Sequence, residues 1–220
     1  MSILTEHDGV HVLTIGATEN RFTADLLAAI DEALDQVEAA PAPLVTVAEG
    51  KFFSNGLDLD WVLANPDELG RYSARVEALL ARLLTLPVPT VAAVNGHAFG
   101  AGAMLAMAHD WRVMRADRGY FCFPEVDIRI PFTPGMAALI QAKLTPRAAL
   151  DAMATGRRYG GADAEAAGLV DATATEDRLL ADAVARVALL AGKDAPTLGA
   201  IKSTMYADPA RALRHEQPQT

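Results

Sequence analysis

HAFGAGAMLAMAHD, residues 97–110, crowds small residues at Ala98 and from Gly100 to Ala103, then runs on as an apolar segment that predicts a helix with Met104 near its start. A glycine-lined helix entrance lets backbone come close to a ligand where side chains would block it. The first amides of such a helix are unpaired, and its dipole favours negative charge. No Lys, Ser or carboxylate occurs in the stretch before Asp110, so main-chain N–H groups are what it offers.

A second stretch is built the same way. VTVAEGKFFSNGLDL (residues 45–59) and VAAVNGHAFGAGAML (residues 91–105) each run from a β-branched strand through a glycine loop into a new element. In open α/β sheets, ligands bind beyond the carboxyl ends of the strands, where such loops gather. Two amides converging on one oxygen form an oxyanion hole, which suits a carbonyl; the same arrangement equally suits a phosphate. Gly100, Gly102 and Glu125 loosely imitate a dinucleotide fingerprint, but the third glycine is missing and the motif lies in mid-chain. No Gly-Lys-Ser/Thr follows either loop, so a phosphate-loop NTPase is excluded.

Composition narrows the function classes. A chain of 220 residues, 51% hydrophobic, buries a substantial core and is expected to fold as a globule. Its net charge of −9 argues against a nucleic-acid partner, which would need a basic face. Cys122 is the single cysteine, which rules out an intrachain disulfide and a cysteine-based zinc cluster and fits the cytoplasm; no metal site is expected. The first residues, MSILTEHDGV, show no secretory signal, and no apolar run is long enough to span a membrane.

Along the chain, ILTEHDGVHVLTIG reads as two strands around the Asp8-Gly9 turn. Thr23 or Asn20 caps a helix whose buried stripe is Leu26, Ile30, Leu34 and Val37. PLVTVAEG is a buried strand, and a second amphipathic helix follows through Leu69, Tyr72, Val76, Leu79, Leu80 and Leu83. TVAAVNG, WRVMRA and YFCF are further strands, their strand–helix–strand order implying parallel pairing. Residues 1–145 are read as the core and 146–220 as a helical region projecting from it, with a frayed polar end at RHEQPQT.

PVPTVAAVNGHAFGAGAMLAMAHDWRV resembles the signature segment of the crotonase family, the enoyl-CoA hydratases and isomerases. KFFSNGLDL is similar to that family's first oxyanion loop, FCFPEVDIRIPFTPG to its acid-bearing turn, and ATGRRYGGADAEAAGLVD to its later T-G…A-x-x-A-x-x-G-L-V run. The resemblance runs in order from about residue 5 to 205. It implies an α/β fold, a spiral of ββα turns with helices at the C-terminal end, commonly assembled as a homotrimer or hexamer. It also implies an acyl-CoA thioester as substrate, with no separate cofactor. Family members usually continue past the 205 region with further helices, and this chain ends at residue 220, so a shortened helical end is expected.

By this resemblance the oxyanion amides belong to Leu57 and Ala101; the usual residue at the latter place is glycine, and alanine adds a methyl to the wall. Phe53, Asn55, Gly56, Gly100, Met104 and Phe132 are the implied substrate-binding residues, with Phe52 a further candidate for the acyl tunnel. Hydratases of the family carry two glutamates, which suits water addition because the water must be deprotonated while a proton goes to the neighbouring carbon. Here Met104 stands at the first place and Glu125 at the second. One carboxylate over an oxyanion hole suffices for a 1,3-proton shift, so the chain looks most like the Δ3,Δ2-enoyl-CoA isomerase branch, with Glu125 catalytic. A hydratase, a thioester hydrolase and a non-catalytic acyl-CoA-binding protein are the alternatives. Asp58 is read as a helix cap, Asp127 as a partner of Arg129 or nearby backbone, and His97 and His109 as lone histidines rather than bases, with His97 ordering its loop.

Overall fold

The computed structural model describes residues 3–216. Asp8 and Gly9 both take positive φ, 52° and 73°, as a two-residue hairpin turn requires, so β1 (Ile3–His7) and β2 (Val10–Thr14) pair antiparallel. Thr23 caps α1 (Ala24–Ala39) by accepting from the Leu26 amide, and Leu27, Ile30, Ala33, Leu34 and Val37 form its buried stripe. Leu26, expected in that stripe, is only partly buried. Asn20 is no cap: at φ 50° it turns its amide group inward to the carbonyls of Phe52 and Phe53.

The next part of the chain repeats one pattern. β3 (Leu44–Val47) enters a large sheet and β4 (Phe52–Ser54) a small one, followed by α2 (Leu59–Ala64) and α3 (Leu69–Leu84). β5 (Thr90–Val94) and β6 (His97–Phe99) do the same before α4 (Ala101–Ala108), then β7 (Trp111–Arg115) and β8 (Phe121–Cys122) before α5 (Glu125–Ile128). Each turn thus adds one strand to each sheet and a helical segment, the ββα spiral expected from the resemblance. Every pair from β2 onward is parallel, with Val45 beside Val91, Val91 beside Trp111, and Phe52 beside His97.

The remaining helices are α6 (Pro134–Lys143), α7 (Pro146–Thr155), α8 (Gly161–Ala166), α9 (Leu179–Ala188), α10 (Ala195–Met205) and α11 (Ala207–Leu213). This region does not project as a helical appendage. β9 (Ala172–Ala174) extends the large sheet beside β7, giving the order β1-β2-β3-β5-β7-β9. α9 then covers the sheet's second face, packing Leu179, Ala183, Val184 and Val187 on Val10, Val45, Val91 and Val113. That coverage explains why β5 is buried at all five positions, since a parallel sheet needs apolar cover on both sides. Two buried arginines of β7 bind the same region: Arg112 donates to Leu169 O and Asp171, and Arg115 to Glu176. The expected polar end lies partly outside the described residues.

Candidate active site

The small sheet places both glycine loops at the carboxyl ends of its strands. In the loop after β4, the amide of Asn55 donates to Glu19 O, that of Gly56 to Ser54 Oγ, that of Asp58 to Tyr72 Oη, and that of Leu59 to Leu57 O. Among the described residues, the Leu57 amide alone of this run donates to nothing. Tyr72 in turn donates to Phe22 O at 2.9 Å, anchoring the loop to the segment ahead of α1.

The second loop enters α4 through Gly100, at φ 52° and ψ −124°, which leaves Ala101 as the first helical residue. Its amide has no acceptor among the described residues, as helix geometry dictates for a first-turn N–H. Two close approaches bring the loops together. A Cβ on Gly56 would lie 2.9 Å from the Ala101 nitrogen and 2.8 Å from Phe99 O, and one on Gly102 would run into Ser54 O. Gly56 also sits at φ 76°, so both space and backbone demand glycine there. The two partnerless amides therefore come from loops packed directly on each other.

Glu125 reaches the same place from the third strand of the small sheet. Pro124 follows β8 and Glu125 opens α5, with only 8% of its surface exposed. Its Oε1 lies 3.4 Å from where a Cβ on Gly100 would stand, and its Oε2 has no hydrogen-bond partner among the described residues. Burial, opposed only by the backbone hydrogen bond at Glu125 itself, pushes the carboxyl from its ordinary 4.5 to about 7. A group titrating there gives and takes a proton with equal ease at neutral pH.

These groups border a cavity of about 310 Å³. Asn55, Leu57, Gly100, Ala101, Met104, Glu125 and Phe132 line it, while Gly56 stands behind the wall. Phe53 does not belong to it: side chains alternate along β4, so Phe53 is fully buried in the core and Phe52 meets His97 on the other face. Among the lining residues that sequence reasoning missed are the apolar Leu59, Phe99, Ile128, Ile130 and Met136, and Arg21 and Arg158, its two cations. The isoleucines stand in the quoted run VDIRIPF, where a left-handed Arg129 (φ 59°) ends α5, a turn no glycine announces.

The other polar candidates have structural positions. Asp58 caps α2 through the Trp61 amide. His109 is buried between Leu105 O and Thr46 Oγ1, and burial pushes it down to about 3. His97 packs among Phe52, Phe99 and Tyr120. Asp127 makes no ion pair with Arg129; its carboxylate fills the space beside the Cα of Gly156. No helix among the described residues is long and apolar enough to cross a membrane.

A family model described as enoyl-CoA hydratase/isomerase matches residues 5–219. The chain is 38% identical over 185 residues to enoyl-CoA delta isomerase 2, peroxisomal, of Arabidopsis thaliana, covering 79% of this chain and 77% of that one. It is 35% identical over 218 residues to a putative enoyl-CoA hydratase of Thermus thermophilus, covering 94% and 83%. Among solved structures, the apo enoyl-CoA isomerase of Mycobacterium tuberculosis superposes with a TM-score of 0.87 at 26% identity, covering 97% and 94%. Human mitochondrial delta3-delta2-enoyl-CoA isomerase shares the fold at a TM-score of 0.89 and 21% identity, covering 96% and 85%. With its ββα spiral, its paired glycine loops and a family match over nearly its whole length, the chain belongs to the enoyl-CoA hydratase/isomerase family of enzymes, the crotonase family.

Proposed function

We propose that this enzyme moves the double bond of a 3-enoyl-CoA thioester to give trans-2-enoyl-CoA, with Glu125 as its single acid and base. The observation that carries the reading is a lone buried carboxyl in a cavity whose facing helix offers Met104 where a second acid would be needed for hydration. Asp60 also borders the cavity, but it is exposed to solvent and held by Arg21 at 2.8 Å.

The thioester oxygen rests on the amides of Leu57 and Ala101. Glu125 in its charged form takes a proton from C2, and the electron pair spreads over C2, C4 and the carbonyl oxygen as a dienolate. The two amides stabilise that oxygen without reorganising, because their loops are already fixed by the contacts above. The protonated Glu125 then returns its proton to C4, leaving the double bond between C2 and C3. Met104, Phe132 and Met136 present apolar surface to the dienolate, which favours proton return over water addition. Arg158 is the cation at hand for the phosphates of the CoA moiety, Arg21 being ion-paired already to Glu19, Asp58 and Asp60. Assembly as a trimer or hexamer is part of the same proposal.

Incubation with 3-enoyl-CoA tests the reading: conjugation should appear as absorbance of the 2-enoyl thioester, with no 3-hydroxyacyl product. Water addition to 2-enoyl-CoA would point to a hydratase, and release of free CoA to a thioester hydrolase. Binding without turnover would point to a non-catalytic acyl-CoA protein.

A further inference from the structure

Glu77, on α3, takes no part in the chemistry above, yet its side chain has no exposed surface and neither carboxyl oxygen has a hydrogen-bond partner among the described residues. Burial pushes its carboxyl upward, opposed by Thr133 and by His215. Its Oε2 lies 2.6 Å from where a Cβ on Gly135 would stand, and the same Cβ would meet the Leu213 backbone at 2.8 Å. Gly135 is therefore the point where α3, α6 and α11 touch. It is also the second residue of α6, after a cap in which Thr133 accepts from the Met136 amide. His215 stands 3.6 Å from the carboxyl at the end of α11.

What the carboxyl touches lies directly behind the cavity wall. Phe132 precedes the Thr133 cap, Met136 follows Gly135, and both line the cavity. A negative group is favoured at a helix N-terminus, whereas an apolar side chain of the same size would fill a buried site with less penalty than a carboxyl without a hydrogen bond. We infer that Glu77 is a positioning residue: its buried carboxyl, seated at the N-terminus of α6, fixes the Phe132–Met136 wall against which the acyl chain lies. The inference rests on reading the cavity as an acyl-CoA site.

The test uses Glu77→Gln and Glu77→Met in the full chain, with melting temperature, hydrogen exchange of the first turn of α6, and KM and kcat for short- and long-chain 3-enoyl-CoA. The Met variant should melt no lower than the wild type, while the first-turn amides of α6 exchange about fivefold faster in both variants. The KM ratio between long and short chains should change by a similar factor, with kcat held within about twofold because Glu125 is untouched. Unchanged exchange and an unchanged KM ratio would overturn the inference. So would an equal loss of kcat on both chain lengths, or failure of both variants to fold, since each assigns Glu77 to the core alone. Hydrogen exchange needs no substrate, so a wild type inactive on 3-enoyl-CoA would defeat the isomerase reading and still leave Glu77 to be decided.

Discussion

Replacing Glu125 by Gln should separate stability from activity in a pH-dependent way. The neutral carboxyl is favoured in the folded state, so the wild type loses stability as pH rises from 4.5 through about 7, while the Gln variant does not. A shift of that size corresponds to about 3 kcal/mol. For a chain of this length it is a gain on the order of 5–10 °C in melting temperature for the variant at pH 8 over its value relative to wild type at pH 5. Any fixed cost of placing an amide where Oε2 has no partner cancels in that difference. The same variant should lose on the order of a thousandfold in proton transfer. Differential scanning calorimetry at the two pH values and the conjugation assay read both effects. Equal melting shifts at pH 5 and pH 8 would refute the burial argument, and retained turnover would refute the catalytic role.

Ala101→Pro deletes one cavity amide at the first helical position, where proline is tolerated, and should lower kcat by about 10²–10³ with the fold retained by circular dichroism. Phe53→Ala should cost about 3–5 kcal/mol in urea unfolding, as a fully buried phenylalanine does. Phe132→Ala should act instead on KM, since that ring borders the cavity. Arg158→Ala should raise KM for acyl-CoA about fivefold at low salt, with a smaller effect at high salt and kcat unchanged.

Much of the site could be read from residues because its parts are backbone. Glycines at 56 and 102 mark close approaches that a Cβ would obstruct, Gly100 marks a backbone turn at positive φ, and such constraints show in a sequence. Side-chain direction is harder to read. In KFFSNG the two phenylalanines are adjacent, so one had to face the core, and nothing local said that it was Phe53. β9 was hidden for a different reason: Ala-Thr-Ala has no strand preference of its own and is held by the free edge of β7. Glu77 and Arg112 are equally opaque, since a charged residue in an amphipathic helix or strand reads as exposed until distant elements close over it.

The proton's route is the most direct test. A 3-enoyl-CoA carrying deuterium at C2 should yield 2-enoyl-CoA with deuterium at C4 well above the level solvent exchange would give, because Glu125 holds the label in a water-poor cavity. Loss of transfer in Glu125→Gln would complete the account. A product whose C4 hydrogen comes wholly from solvent, or undiminished transfer in that variant, would contradict it.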